Sequence, residues 1–330
     1  MVVVKKIIKI VISLVLLWLL FKRLQWVEFL SIIKEIKAVW VIPVLLLGPI
    51  GILLLALRWR LFLLKLGISL PLTQAARGVW TGSFFNMFLP GSTGGDFYRL
   101  VFVRTLFPKS ESKITSSLVL DRLFGVGSLL FLGLIGVTYK KHMLVQMLSV
   151  AGTINSSKVV FIGTVLVISL GSCVYIIKSA NETSLLGKGR VFIKAMVLQI
   201  SSELSDPELV VKAFGLALGM HLISFCTGYF ISKALGINMG YIDLALFTTA
   251  SALIMALPIS INGVGVRELL LVGFFQFNGF SCGHGIGIKE SAIAYSFFGV
   301  LCDLIRVAPG GVWFALAKET KTIQPYQSKS

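Results

Sequence analysis

Long apolar runs recur along this chain and are separated by short charged stretches. Several of them approach the roughly 20 residues that an α-helix needs to cross a bilayer. Because lipid offers no partner to backbone polar groups, such runs must satisfy their own hydrogen bonds, as helices do. Hydrophobic residues make up 56% of the chain and charged residues only 14%, against about 25% charged residues in soluble domains. We therefore predict an all-α, polytopic membrane protein.

The formal net charge of +17 does not indicate nucleic-acid binding, because the basic residues alternate with apolar runs and form no readable face. In membrane proteins, basic loops orient the chain and contact anionic headgroups. The four cysteines lie in or beside apolar runs, at spacings that fit neither a disulfide framework nor a metal site. The sequence predicts no cofactor and no metal.

The apolar runs predict six full spans, at residues 7–21, 40–64, 116–138, 159–178, 211–235 and 291–316. Two further segments, 78–107 and 244–280, are interrupted by Pro and Gly and are interpreted as broken, re-entrant hairpins. The count rises to eight spans if both halves of the second hairpin cross. Residues 22–38 alternate apolar and charged side chains at helical spacing, which predicts an interfacial helix. A second surface helix is expected within the polar loop 181–209.

One sequence pattern occurs twice. The frame Leu-Pro-x-Ser-x-x-Gly-x-x-x-Arg begins at Leu89 and again at Leu257, 168 positions later. Each copy interrupts an apolar run and places an arginine, Arg99 or Arg267, beyond the interruption. Paired interruptions in two halves of a membrane chain indicate the binding site of a transporter.

Each half of the chain therefore contains span, span, broken hairpin and span. If each hairpin re-enters without crossing, each half crosses three times, and the second half is inverted relative to the first. This predicts a first membrane repeat at 1–140, a second at 141–318 and a short polar tail at 319–330. Counting Arg58 and Arg60 among the cytoplasmic loop residues, the basic loops favour both termini in the cytoplasm.

Four acidic–basic sets fall at membrane depth: Asp96 with Arg99, Asp121 with Arg122, Arg267 with Glu268, and Asp303 with Arg306. The first and the last have i,i+3 spacing, which places both members on one helix face. The other two are sequence neighbours, which point apart on a helix, so we expect them to pair with other elements. A charge at a helix centre costs roughly 2.5–3.5 kcal/mol on insertion scales. These residues therefore either mark a substrate path or form ion pairs that fix helix packing.

The first copy of the pattern has the features of an anion site. Gly94, Gly95 and Asp96 predict a helix that begins after the Pro-Gly turn, with Ser92 on the approach to it. Helix N-termini present free N–H groups and a partial positive charge, which suit phosphate or carboxylate. Arg99 lies one turn further along and is placed to bind the same anion.

The second copy repeats these features from the opposite leaflet. Asn262 and Gly263 precede Arg267 and Glu268, and we predict that these residues bind the same substrate. The alternative is a plain re-entrant turn without a ligand, in either copy. Asn86, just before the first copy, is interpreted as a packing or capping group.

The run Leu89–Arg99, the Asp121-Arg122 pair and the segment Asn262–Glu268 resemble the lysylphosphatidylglycerol synthase transmembrane-region family, also called flippase-like membrane proteins. The resemblance covers about residues 7–317. It implies a bacterial or archaeal cytoplasmic-membrane protein that moves a lipid between leaflets. Family members fused to a soluble synthase domain form aminoacylated phosphatidylglycerol and translocate it. This chain resembles the stand-alone form without that domain.

We therefore expect a lipid translocase that moves an anionic or aminoacylated phospholipid, with Arg99 and Arg267 holding the lipid phosphate. Four carboxylates are expected to neutralise these arginines in the empty site: Asp96, Asp121, Glu268 and Asp303. The alternatives are an intramembrane transferase with Asp96 or Asp121 as its base, a protein that handles polyprenyl-phosphate-linked glycolipids, and a non-transporting partner of a lipid synthase or glycosyltransferase.

Overall fold

The computed structural model describes residues 36–88, 94–139, 185–255, 266–282 and 287–316. These ranges contain nine α-helices and no β-strand, and one 3-10 turn, Ala38–Trp40, leads into the first helix. In chain order the helices are α1 (Val41–Lys65), α2 (Leu72–Asn86), α3 (Gly94–Leu106), α4 (Glu111–Tyr139), α5 (Leu185–Leu204), α6 (Pro207–Ala234), α7 (Tyr241–Met255), α8 (Val266–Asn278) and α9 (Ile288–Leu316).

Four of these helices are long and apolar enough to cross a membrane: α1, α4, α6 and α9. They confirm the spans predicted at 40–64, 116–138, 211–235 and 291–316. Helix α5 lies within the polar loop where a second surface helix was expected. Other predictions fall outside the described residues: the spans at 7–21 and 159–178, nearly all of the interfacial helix at 22–38, the boundary between 140 and 141, and the tail at 319–330.

Each predicted broken hairpin is a pair of short helices, α2 with α3 and α7 with α8. The first helix of each pair has 15 residues and the second has 13. At 1.5 Å per residue these helices are roughly 20–22 Å long, whereas the hydrocarbon core of a bilayer is about 30 Å thick. Over the described residues, each leg is therefore shorter than the hydrocarbon core. The residues between the legs, 89–93 and 256–265, lie outside the described residues.

Helices α1 and α6 pack along each other in opposite directions. At one end the Lys37 backbone N–H donates to the Ala234 carbonyl at 3.0 Å. At the other end Lys65 Nζ lies 2.5 Å from Asp206, which precedes α6. We call these ends the Ala234 face and the Lys65 face. The α2–α3 hairpin follows α1 at the Lys65 face, and the α7–α8 hairpin follows α6 at the Ala234 face, so the two hairpins enter from opposite faces.

Each hairpin contacts the last span of the opposite half of the chain, at corresponding positions. Thr81 in α2 donates its hydroxyl to the Gly310 carbonyl in α9 at 3.2 Å. Thr249 in α7 packs against Gly133 in α4, where an added Cβ would lie 2.8 Å from the threonine methyl. Thr249 follows Thr81 by 168 positions, and Gly310 follows Gly133 by 177, which is also the offset between the starts of α4 and α9. Corresponding positions thus meet twice, through a hydrogen bond at Thr81 and through packing of the methyl group at Thr249.

Each hairpin has its own apolar core. Around α2 and α3 it includes Trp59, Val79 and Val103, while around α7 and α8 it includes Leu244 and Phe275. Within lipid, close van der Waals packing of such side chains holds helices together. Each hairpin is therefore held against its own spans as well as against the last span of the opposite half.

Candidate functional site

The start of α3 is fixed by close contact with α2. The described part of α3 begins at Gly94, where the sequence predicts a helix. The Gly95 N–H donates to Asn86 Oδ1 at 2.6 Å. Asn86 therefore has the second of the two roles predicted for it, packing or capping. A Cβ on Gly82 would lie 2.9 Å from the Gly95 carbonyl oxygen, so the two backbones approach more closely than a side chain allows. One N–H group of the predicted anion site therefore already has a partner.

Arg99 lies one turn into α3 and is held on several sides. Its Nη1 and Nη2 donate to Asp121 Oδ2 at 3.1 and 3.2 Å, and Nη2 also donates to Asp96. The guanidinium carbon lies 4.9 Å from the centre of the Trp59 ring, a cation–π distance. Arg99 is only 5% exposed. It is therefore a fixed positive charge inside the bundle.

Asp121 connects this arginine to a second buried one. Arg58 in α1 donates through Nε to Asp121 Oδ1 at 2.7 Å, and the exposed fractions of Arg58 and Asp121 are 3% and 2%. Next to Arg58, Trp59 donates its indole N–H to Ser117 Oγ in α4 at 3.1 Å. Assigning Arg58 to a cytoplasmic loop was wrong. Its position inside the predicted span 40–64 is the signal that places it in the membrane.

Asp96 is shared between two arginines. Besides its bond to Arg99, its Oδ2 accepts from Arg122 Nε at 2.7 Å. The side chain of Asp96 is 22% exposed, and that of Arg122 is 48% exposed. The first charged centre, as we use the term, consists of five residues: Arg58, Asp96, Arg99, Asp121 and Arg122. Its three arginines and two aspartates leave one net positive charge.

The second charged centre consists of Arg267, Glu268 and Ser296. Arg267 donates through Nη2 to Glu268 Oε1 at 2.9 Å and through Nε to Ser296 Oγ at 3.0 Å. The Ser296 hydroxyl in turn donates to Glu268 Oε1 at 2.5 Å. Both charged side chains are partly buried. Arg267 and Glu268 were expected to pair with other elements; both bond to Ser296 of α9, but they also bond to each other, which was not expected.

The remaining predicted residues contribute to neither centre in the described ranges. Asp303 and Arg306 pair with each other at 2.8 Å on one face of α9, where both side chains are partly exposed. Asp303 was expected to neutralise Arg99 or Arg267, but its partner in the structure is Arg306. Ser92, Asn262 and Gly263 lie outside the described residues. Within the ranges that the structure describes, no group of three or more His, Cys, Asp and Glu side chains is placed to hold a metal ion.

The pairing of the four acidic–basic sets follows helix geometry in three cases. Asp96 with Arg99 and Asp303 with Arg306 bond within one helix, as their i,i+3 spacing predicts. Asp121 and Arg122 point apart and bond to different elements, as also predicted. The bonds of Asp96 and Asp121 join α1, α3 and α4 in one charged cluster, close to the first described residues of α3.

The fold and these centres define an integral membrane protein of several helical spans, with two broken hairpins that enter from opposite faces and a charged centre beside each. Residues 6–289 match the lysylphosphatidylglycerol synthase TM region. Since this match covers most of the chain, the protein belongs to that family.

Two archaeal proteins described as UPF0104 membrane proteins are also similar. The one from Pyrococcus horikoshii is 24% identical over 263 residues, which cover 72% of this chain and 76% of the relative. The one from Methanothermobacter thermautotrophicus is 33% identical over 79 residues, which cover 24% of this chain and 22% of the relative. Their names describe membrane proteins and state no activity.

Proposed function

We propose that this protein is a lipid translocase that moves an anionic or aminoacylated phospholipid between the leaflets of the cytoplasmic membrane, with both termini in the cytoplasm. The observation that carries the proposal is the first charged centre. Five charged side chains meet in an apolar helix bundle, three of them are buried, and the sum of their charges is positive.

Buried charge of this kind is costly for a protein that only needs to pack. Replacing a buried ion pair with apolar side chains is often neutral or stabilising, so packing alone does not require three arginines here. Charged residues within membrane spans characteristically face a substrate or ion path. A site with one excess positive charge favours an anion, and the headgroup phosphate is the anion that every phospholipid brings to this depth.

The arrangement of the hairpins supports movement across the membrane rather than binding alone. The first charged centre belongs to the hairpin at the Lys65 face, and the second belongs to the hairpin at the Ala234 face. In transporters with inverted repeats, broken helices of this kind form the substrate site, and the two repeats rock against each other. Arg99 and Arg267 then supply positive charge to a phosphate approaching from either leaflet.

A leaflet-exchange assay tests the proposal. Liposomes would contain fluorescently labelled phosphatidylglycerol, its lysyl ester or a polyprenyl phosphate, together with wild-type protein or the double variant Arg99→Gln, Arg267→Gln. We expect wild-type exchange of at least one lipid and a loss of about tenfold or more in the double variant, since each lost charge-assisted hydrogen bond is worth about 1.5–3 kcal/mol.

Arg104→Gln is the matched control. Arg104 lies in the same helix as Arg99, but it is well exposed and pairs with Glu111 at 2.8 Å, away from both centres. Its exchange rate should stay within about twofold of wild type. Because Arg99→Gln disturbs a buried network, the single variant Arg267→Gln in the more accessible centre provides a second measurement. Folded wild-type protein that exchanges none of the lipids would contradict the proposal.

A further inference from the structure

Arg122 lies beside an apolar outer surface of the bundle. On α4, Val126 and Leu130 follow it at i+4 and i+8, on the same helix face, and both are exposed. On α3, Phe97 and Val101 are also exposed, and Phe97 directly follows Asp96. We call these four apolar residues the α3–α4 surface: Phe97, Val101, Val126 and Leu130. In a membrane protein, an exposed apolar surface of this kind contacts acyl chains.

The ion pair between Arg122 and Asp96, at the edge of the α3–α4 surface, lies far from the first residue of α4. Arg122 is the twelfth residue of α4, whose first residue is Glu111. At 1.5 Å per residue it lies roughly 16 Å along the helix from the Lys65 face. A half-exposed arginine at this depth next to acyl chains has a strong electrostatic reason to bind an anion that arrives within the lipid layer.

Accessibility separates the three arginines of the first charged centre. Arg58 and Arg99 are 3% and 5% exposed and are bonded to Asp121. Neither can reach a headgroup at the surface without breaking a buried pair. Arg122 is 48% exposed, and its bond to Asp96 involves a carboxylate that also has Arg99 as a partner. Asp96 can therefore release Arg122 and still remain neutralised.

We propose that Arg122 is the residue that contacts the lipid phosphate, and that Asp96 releases it by keeping its bond to Arg99 alone. The acyl chains then lie along the α3–α4 surface, outside the bundle. Under this proposal Arg58, Arg99 and Asp121 are positioning residues that hold Asp96 in place. The proposal rests on the proposed function and refines it in two respects. Arg122, rather than Arg99, makes the direct contact with the phosphate, and the headgroup enters laterally from the membrane.

A direct consequence concerns headgroup charge. The first charged centre carries one net positive charge, which a phosphodiester with a single negative charge balances. Asp96→Asn raises the net charge of the centre to two, which favours a phosphomonoester with two negative charges. Arg122→Gln lowers it to zero and removes the forked donor that binds phosphate.

The experiment measures exchange of labelled phosphatidylglycerol and labelled phosphatidic acid by wild-type protein, Arg122→Gln and Asp96→Asn in liposomes at low label. We expect Arg122→Gln to reduce phosphatidylglycerol exchange about tenfold or more. We expect Asp96→Asn to shift the ratio of phosphatidic acid to phosphatidylglycerol exchange about fivefold or more towards phosphatidic acid. Glu111→Gln, the same charge change at an exposed position of α4, should leave this ratio as in wild type.

Lipid binding in detergent separates this proposal from the proposed function. The melting temperature of each purified variant would be measured as phosphatidylglycerol is added, because a ligand that binds the folded state raises it. Stabilisation of wild type but not of Arg122→Gln supports the contact even if no exchange occurs. Exchange and stabilisation that both survive in Arg122→Gln, with normal folding, would overturn the proposal and leave the translocase itself standing.

Discussion

The two charged centres occupy related places in the two halves and differ in their electrostatics. The first joins three helices through Asp121, which accepts from Arg58 and from Arg99 while almost completely buried. In the second, the neighbours Arg267 and Glu268 of α8 bond to each other and to the hydroxyl of Ser296 in α9. The first has one net positive charge, and the second has none.

This difference indicates that the two halves share a scaffold but not a charge distribution. The order and lengths of the helices repeat, and so does the contact between Thr81 and Gly310 in its counterpart at Thr249 and Gly133. In the part of the chain that the structure describes, Asp121 accepts from two buried arginines, whereas Glu268 accepts from Arg267 and Ser296. A substrate that meets both centres in turn therefore experiences unequal attraction from the two faces.

The largest expected difference between the halves is in stability. Asp121→Asn leaves Arg58 buried without its carboxylate and Arg99 with Asp96 as its remaining acidic partner, which should cost about 3–5 kcal/mol of unfolding free energy. Glu268→Gln removes the acid of a partly exposed pair and should cost about 1 kcal/mol or less. Thermal unfolding of both variants in the same detergent compares them, and equal losses would show that the two centres are energetically alike.

A smaller difference is expected at the repeated threonine–glycine contact. A Cβ at Gly310 would clash with the backbone of Trp80 and lie 2.8 Å from Thr81 N. Since backbone cannot rotate away, Gly310→Ala should cost about 2–3 kcal/mol. At Gly133 the added Cβ would meet only the methyl of Thr249, at 2.8 Å.

Because that methyl belongs to a side chain that can turn, Gly133→Ala should cost about 1 kcal/mol. The melting temperatures of the two variants, measured side by side, provide the test. A cost at Gly133 as large as that at Gly310 would mean that both hairpins are seated with the same rigidity.

The smallest expected effect is on the pH dependence of stability, which should differ between the two ends of the α1–α6 pair. At the Lys65 face, Asp206 accepts a hydrogen bond from Lys65 and caps α6 by accepting from the Glu208 and Leu209 N–H groups. The Lys65 hydrogen bond, with these caps, lowers the pKa of Asp206. A carboxyl whose folded pKa is lowered contributes stability above its unfolded pKa of about 3.9 and loses it as pH falls below that value.

The comparison is therefore between wild type and Asp206→Asn. Their melting temperatures should differ at neutral pH and converge below about pH 4. The Ala234 face is joined by a backbone hydrogen bond between Lys37 and Ala234, which does not titrate. Nearby Glu203, whose pKa is raised by partial burial, is present in both proteins. A gap that stays constant down to pH 3 would show that the Asp206 carboxylate is not the source of the stability.

Much of the fold follows from the sequence, because its signals are local. Apolar length predicts the four described spans, and the Pro-Gly interruptions predict that both hairpins are broken. The bond from the Gly95 N–H to Asn86 agrees with the chemistry of asparagine near a helix start. Spacing of i,i+3 predicts the bond between Asp96 and Arg99.

Which residues form each centre depends on contacts between helices that are far apart in the sequence. No local sequence pattern predicts those contacts. Arg58 joins the first centre because α1 packs on α4, which places it beside Asp121, 63 positions later. Arg267 and Glu268 bond to each other because α9 brings Ser296 between them. In both cases the deciding neighbour is on another helix, and a long arginine side chain can bend towards either of two partners.

The contacts of the first hairpin also have a consequence for the order of assembly during synthesis. Every residue of the first charged centre lies between positions 58 and 122, so the ribosome has delivered the whole cluster before the second half is made. Trp80 and Thr81, by contrast, bond to the carbonyls of Arg306 and Gly310 near the end of the chain. Since domains generally fold as their residues emerge, the newborn first half carries its completed charge cluster while one side of α2 stays uncovered until the last helix arrives. That interval is when a chaperone or insertase has most to protect.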